Sequence, residues 1–287
     1  MSKPWALVTP ASRGIGLHLA RHLLKNTDVP VVATARKKLE TTRSHILDGL
    51  DIDKDRLQVL QLDVTGTFYS RSLYAPPILQ YEKILKPLAL DESTIAATAA
   101  KAISLYPSSS HHLRVAFCIP GVLHPEKSPQ QIDPEHALQT LKINLLGPLL
   151  LSKHLTPLLP RKSSAINPHP NLPPTATLAL MAARVGSTSD NSLGGWYTYR
   201  ASKAGVISLA KSVDIYLRQR CGEKAMCVAL HPGTVKTDLS KEFWAGVPKE
   251  KLFGAEDAAG KLCGVLERLG VKGRGGCWDW KGEEILP

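Results

Sequence analysis

"WALVTPASRGIGLHLARHLLKN", Trp5 to Asn26, decides the fold. Its first part is a short apolar run that stops at turn residues, which reads as a buried strand. Its last part repeats apolar residues at Ile15, Leu19, Leu23 and Leu24, the spacing of one face of a helix. Between them lies "TPASRGIG", Thr9 to Gly16. A strand that enters a helix through such a turn aims the helix N-terminus at whatever sits above it. The unpaired N–H groups and the dipole of that end favour an anion. Gly14 and Gly16 let the backbone approach a pyrophosphate closely.

The same alternation continues outward from this unit. "VPVVATAR" (29–36), "RLQVLQLDV" (56–64), "LRVAFCIPG" (113–121), "TATLALMA" (175–182) and "AMCVALHPG" (225–233) read as strands. "STIAATAAKAI" (93–103), "EHALQTLKINLLGPLLLSKHLTPLL" (135–159) and "YRASKAGVISLAKSVDIYLRQR" (199–220) read as helices, the second continuing through Gly147 and Pro148. Most of the strands are apolar on both faces. That pattern predicts an α/β protein with a doubly wound parallel sheet covered by helices on both sides, a three-layer αβα sandwich. The 287 residues are read as a single domain, 1–287. One segment breaks the rhythm: "GTFYSRSLYAPPILQYEKILKPLAL", 66–90, is longer than the loops of compact domains. Without it "LDVT" joins "DEST" as a normal turn, so it is read as a peripheral insert or excursion that leaves the sheet intact. A lid, and a stretch wrongly kept as coding, are the other readings.

Composition narrows the function classes. Hydrophobic residues are 43% and charged residues 21%, as in ordinary globular proteins, and no apolar run reaches bilayer length. The N-terminus lacks a secretory pattern, so a cytoplasmic protein without a membrane partner is expected. The net charge of +11 is scattered rather than blocked, without interleaved aromatics, which argues against nucleic acid and suits a phosphorylated small molecule. The five cysteines form no C-x-x-C pair and are expected to be free, buried thiols. His18 and His22 lie one helical turn apart without a third ligand nearby, so no metal site is expected.

Tyr199 and Lys203 carry the chemistry. Their spacing puts both side chains on one helical face, one turn apart. An ammonium beside a phenol is expected to lower the phenol's pKa from about 10 towards the working range. The tyrosine can then give a proton to a carbonyl oxygen or take one from an alcohol.

Thr9, Gly14, Ile15 and Gly16, taken with Tyr199, Ala201, Ser202 and Lys203, resemble the short-chain dehydrogenase/reductase family. "ARVGS" (183–187) and "LGGWYTYRASKA" (193–204) resemble its C-factor-like branch. The resemblance spans nearly the whole chain apart from the insert. It implies a Rossmann-type fold and a carbonyl reductase or alcohol dehydrogenase acting on a small organic substrate. Ser12, Arg13, Gly14, Ile15 and Gly16 would then form the cofactor's phosphate turn, with Pro10 where the family has its first glycine. Asp63 and Val64 match the adenine-contacting pair, Gly121 ends the family's N-N-A-G stretch, and Pro232, Gly233, Val235 and Thr237 match the loop that holds the nicotinamide carboxamide. Tyr199 and Lys203 would touch the cofactor as well. Arg36 and Lys37 follow the second strand where an acidic residue would select NAD, so NADP(H) is expected.

Asn144 matches the family's proton-relay asparagine. The family's active-site serine is absent: Ala182 and Ala183 stand there, and Ser187 is read as the stand-in, with Thr188 and Ser189 as alternatives. Trp196, Phe243 and Trp244 fall where a substrate wall or lid would lie, and His231 is read as a packing residue. The rival reading is a catalytically impaired or repurposed protein of the same fold: a dinucleotide sensor, a scaffold or a non-redox catalyst. Relatives of this fold often pair through their long helices, so a homo-oligomer is compatible with the resemblance.

Overall fold

Strand β1 (Lys3–Thr9) is buried from Trp5 onward, and its alternate residues feed two different cores. Trp5 and Leu7 face one, Ala6 and Val8 the other. That division sets the architecture of the computed structural model, which describes residues 2–66 and 92–287. The insert read at 66–90 lies, from residue 67 on, outside the described residues.

After β1 come α1 (Gly14–Asn26), β2 (Val31–Ala35), α2 (Leu39–Leu47) and β3 (Leu57–Gln61). Then follow α3 (Ser93–Leu105), β4 (His111–Cys118), α4 (Pro134–Leu141), a π-helical turn (Lys142–Leu146) and α5 (Gly147–Leu155). The last part holds β5 (Ala176–Met181), α6 (Tyr197–Cys221), β6 (Ala225–His231), the short pair β7 (Thr234–Val235) and β8 (Leu252–Phe253), α7 (Ala255–Leu269), β9 (Cys277–Asp279) and β10 (Glu284–Ile285). The main sheet runs β10-β9-β6-β5-β4-β1-β2-β3, parallel throughout except for β10. Helices α3, α5 and α6 cover one face through Ile95, Leu151, Val206 and Leu217. Helices α1, α2 and α7 cover the other through Leu19, Leu23, Ile46, Leu262 and Leu266. The expected three-layer doubly wound sheet is the fold observed.

Strand order reverses between β1 and β4, where such sheets open a crevice at their carboxyl ends. The Thr9–Gly16 turn and the loop leading to Gly121 leave the sheet side by side there, with Ile119 N donating to Thr9 O at 2.7 Å.

The structure departs from the sequence reading in two ways. Helices α2 and α7 and strands β7 to β10 go beyond it; the added strands, two or three residues each, are too short for periodicity to register. The long helix read over 135–159 is broken by the π-turn at Lys142–Leu146. Pro148 has no N–H to offer the carbonyl of Asn144, and the chain widens to an i→i−5 bond from Gly147 N to Lys142 O. Asn144 sits in that wide turn. The two described ends that flank the insert are stitched together: Thr94 Oγ1 accepts from Asp63 N at 3.1 Å, and Thr98 Oγ1 donates to Gln61 O at 2.6 Å. All five cysteines are buried and unpaired.

Two histidines give the fold an acid limit. Burial lowers His112 and His231 from 6.5 to about 4, with Arg114 adding to the effect at His112 and Arg184 at His231. Unfolding returns both to 6.5. Between those values the unfolded chain binds more protons than the folded one, so stability falls as pH drops through that window. Thermal melts are expected to show Tm falling across it, and His112→Gln to make the fall shallower. A Tm flat over the window would contradict both burials.

Candidate active site

Helix α6 begins two residues before Tyr199 and presents Tyr199 and Lys203 to the sheet, 8% and 2% exposed. Lys203 Nζ donates to Met181 O at the end of β5, at 2.7 Å, and lies 5.6 Å from the centre of the Tyr199 ring. Asn144 is fully buried. Its side chain pairs with the backbone of Val122, accepting from N at 2.8 Å and donating to O at 2.9 Å, and it donates to Ser202 Oγ at 3.2 Å. Ser202 Oγ in turn donates to Tyr199 O at 2.7 Å. A Cβ placed on Gly121 would stand 3.9 Å from Asn144 Oδ1 and 4.0 Å from Lys203 Nζ. Three residues separated widely in sequence thus converge beside Tyr199.

The electrostatics of the pair differ from the sequence expectation. The Tyr199 phenol is pushed up to about 12 by burial, not down by its neighbour. Burial also lowers Lys203 to about 8. Removing both groups from water disfavours both charged forms, and at this separation that cost exceeds their mutual attraction.

The two alanines read at the expected hydroxyl position have different surroundings. Ala182 is packed in the core with Leu180 and Val206, whereas Ala183 belongs to neither main core and caps the 3-10 turn Arg184–Gly186. Ser187 is buried, and its Oγ accepts from Asp190 N at 3.0 Å, a turn bond. Ser189 Oγ donates to Pro287 O at 2.6 Å, and Thr188 is exposed.

Trp196 meets Tyr199 nearly edge-on, with centroids 6.0 Å apart, and Phe243 at 4.8 Å. These rings form one aromatic cluster next to the phenol. Trp244 instead donates to Ser240 Oγ at 2.9 Å. His231 keeps a buried Nδ1 without a hydrogen-bond partner among the described residues.

The Thr9–Gly16 turn depends on its glycines. Gly14 has φ +56°. A Cβ on Gly16 would stand 1.9 Å from Pro10 O, so no side chain is tolerated where the turn folds under the helix. Ile15 packs beside Val235 and Phe253. Arg13, at the N-cap of α1, makes no capping bond with its side chain, and the first turn holds no acidic residue. Ser12 is exposed at the surface of the turn. Thr237 approaches Gly14, its Cγ2 3.3 Å from a Cβ placed there, and Arg13 Nη1 pairs with Asp238 Oδ2 at 2.9 Å. The Pro232–Thr237 loop therefore lies against the turn; Gly233 at φ +76° leaves room for the Phe253 ring, 2.6 Å from its would-be Cβ.

At the far end, Asp63 Oδ1 accepts from Thr65 N at 2.7 Å and Thr65 Oγ1 at 2.5 Å, while Arg36 Nη1 donates to Thr65 Oγ1 at 3.3 Å. Val64 packs on Gly147, whose would-be Cβ lies 3.3 Å from it. Arg36 and Lys37 are exposed.

Three residues escaped the sequence reading. Asp238 pairs with Arg13. Arg200 clamps the stretch before α6, donating to Gly195 O at 2.9 Å and Val185 O at 3.0 Å. Glu126 is buried against the start of α6. Arg200 lies inside the "YRASK" motif and could have been singled out; Glu126 lies 72 positions from its partner, and no local pattern points to it. Among the described residues, no group of three or more His, Cys, Asp or Glu side chains is placed to hold a metal, and no helix is long and apolar enough to cross a membrane.

No family model matches the sequence. C-signal of Myxococcus xanthus is 31% identical over 154 residues, covering 54% of this chain and 80% of C-signal. The 1-hydroxy-2-glutathionyl-2-methyl-3-butene dehydrogenase of Rhodococcus sp. (strain AD45) is 32% identical over 132 residues, 46% of this chain and 50% of that enzyme. Among solved structures, the NADPH-bound carbonyl reductase from chicken fatty liver superposes with a TM-score of 0.75 at 24% identity, covering 100% of both chains. Carbonyl reductase Sniffer of D. melanogaster gives 0.74 at 21%, again over 100% of both. At those identities the structures speak for the fold, while the match to C-signal reaches most of that protein. With its doubly wound sheet, its glycine turn at the strand reversal and its buried Tyr199–Lys203 pair, the chain belongs to the short-chain dehydrogenase/reductase family.

Proposed function

We propose that the whole chain, 1–287, is one NADP(H)-dependent domain that reduces a carbonyl of a small organic substrate to an alcohol. The observation that carries this reading is the convergence of Tyr199, Lys203, Asn144 and Gly121 at the sheet end that holds the glycine turn. The residues present fit a dinucleotide. The uncapped start of α1 and the side-chain-free approach at Gly16 suit a pyrophosphate. Asp63 and Val64 would hold the adenine, Arg36 and Lys37 the 2′-phosphate, and Pro232, Gly233, Val235 and Thr237 the nicotinamide end. NADPH, when bound, supplies the hydride. The NADPH-bound state of the chicken carbonyl reductase supports this choice of cofactor.

The chain's own residues handle the proton. A phenol at about 12 is protonated at neutral pH, so the resting site is set to donate, which is the reductive direction. Tyr199 Oη gives its proton to the carbonyl oxygen. Lys203 holds the end of β5 and, ionised below about 8, offers positive charge beside the forming phenolate. Asn144 is locked to Val122 and Ser202 and is assigned the support of a water-mediated proton relay towards Lys203. Ser187 is assigned the substrate-facing hydroxyl: its bond to Asp190 uses a lone pair and leaves the hydrogen to donate. Trp196 and Phe243 form an apolar wall for the substrate. Exposed Leu141, Leu149, Ile215 and Tyr216 provide surface for a homo-oligomer.

The test is direct. NADPH is titrated by fluorescence, and its oxidation is then followed with a panel of ketones and aldehydes. NADPH binding with turnover supports the reading; absence of NADPH binding removes it. The rival, a non-catalytic dinucleotide binder, is favoured by Ala183, and binding without turnover across the panel would establish it. Within the same assay Arg36→Glu is expected to lower NADPH affinity about tenfold or more relative to NADH, because a carboxylate repels the 2′-phosphate. An unchanged ratio would place the 2′-phosphate elsewhere.

A further inference from the structure

Glu126 has no part in the proton chemistry, yet it is an acidic side chain only 4% exposed, on the loop that follows Gly121. Its carboxylate accepts from both donors of Thr198, from N at 3.1 Å and from Oγ1 at 2.5 Å. Its backbone oxygen accepts from Trp196 N at 2.6 Å. Thr198 is the second residue of α6, and Tyr199 is the third. The helix has no local cap: Trp196 occupies the N-cap with φ +51° and makes no side-chain capping bond. Gly194 and Gly195 before it are also left-handed, at φ +64° and +66°. The glycines take that conformation freely, whereas the tryptophan persists in it only where the surroundings hold it.

We propose that Glu126 is a positioning residue that caps the catalytic helix from the β4 loop and thereby aims Tyr199 and Trp196. A carboxylate at a helix N-terminus satisfies first-turn N–H groups and meets the positive end of the dipole. Here it comes from the loop that also carries Val122, the partner of Asn144. One loop therefore locks the relay asparagine and the proton donor into a common frame. Thr198 offers the carboxylate a backbone N–H and a hydroxyl, and the two carboxylate oxygens take one each. In Glu126→Gln the shape is kept and the Thr198 hydroxyl can turn a lone pair to the amide nitrogen, so what is lost is the negative charge that strengthens both bonds and meets the helix dipole.

The Tyr199 role in this proposal rests on the function proposed above, and the experiment separates the two. Full-length wild type, Glu126→Gln and Thr198→Val are compared by amide hydrogen exchange over residues 196–202. They are also compared by NADPH affinity and by kcat and KM on the best substrate of the carbonyl panel. Glu126→Gln is expected to exchange about tenfold faster in the first turn of α6, with the sheet strands unchanged. Its kcat is expected to fall about 10–100-fold through misalignment, with NADPH affinity within about twofold of wild type. Thr198→Val, which keeps the carboxylate and removes one bond, is expected to show the same changes at smaller size, and it decides the matter if the glutamine variant does not fold. Unaltered exchange in that turn overturns the proposal, as does faster exchange spread over the whole sheet, or an unaltered kcat beside a loosened turn. If wild type turns over no carbonyl, the function proposed above falls, and the exchange result alone decides the role of Glu126.

Discussion

Tyr199→Phe is expected to lower kcat for carbonyl reduction by about 10²–10⁴-fold, the usual worth of a positioned general acid. NADPH affinity is expected to change little. The two effects separate because of where the hydroxyl sits. Phenylalanine keeps the ring that packs edge-on against Trp196 and leaves the buried wall intact. It also leaves the bonds that fix the surrounding site, because Lys203 is held by Met181 O and Asn144 by Val122, neither through the phenol oxygen. The measurement is steady-state turnover of wild type and variant on one substrate, with NADPH binding followed by fluorescence. A variant that binds NADPH and turns over at the wild-type rate would show that the proton comes from elsewhere. The pH profile adds a second check. With the phenol at about 12, the rate of reduction is expected to hold through neutral pH without a limb from Tyr199; a limb near pH 7 removed by the substitution would mean that bound ligands lower the phenol strongly.

What the sequence made legible, and what it did not, follows from the range of the interactions involved. The strand and helix around the first turn were readable because periodicity is local: Ile15, Leu19, Leu23 and Leu24 face one direction whatever else the chain does. Gly16 was readable for a related reason, since a side chain there would meet Pro10 only six positions away. Tyr199 and Lys203 were readable as a helical pair. Their ionisation was not, because it depends on how much water the finished fold removes from each. The π-turn under Asn144 was signalled by Pro148 but assigned to a continuous helix, since a missing donor does not say whether the chain kinks, breaks or widens. Glu126 and Asp238 lie beyond any local rule. The first reaches Thr198 and the second reaches Arg13 only after the sheet has set the chain after β4 beside the start of α6, and the chain after β7 beside the turn after β1. The insert's sequence was conspicuous by length alone, and length carries no chemistry.

Ala183→Ser is expected to raise kcat by about tenfold or more, recovering what Ser187, held by its turn bond to Asp190, falls short of the 10²–10³-fold that one well-placed donor to a developing oxyanion is worth. The choice between the two alanines is structural. A hydroxyl on Ala182 would enter the apolar core beside Leu180 and Val206, where an unpaired donor costs stability. Ala183 lies outside both main cores, at the entry to the turn that Gly186 presses against the Lys203 backbone, with a would-be Cβ 2.6 Å from Lys203 C. A serine there stands two residues from Met181, the β5 end to which Lys203 is anchored. The effect should depend on Ser187. If Ser187 supplies the missing hydrogen bond, Ser187→Ala lowers kcat in the wild-type background and matters far less once Ala183 is serine. The coupling between the two substitutions then measures how far one hydroxyl replaces the other. Equal losses from Ser187→Ala in both backgrounds would confine Ser187 to its turn bond with Asp190. An Ala183→Ser variant that binds NADPH yet turns over no more carbonyl than wild type would mean that the missing hydroxyl does not limit this site, and the rival reading of a retired catalyst would then gain its strongest support.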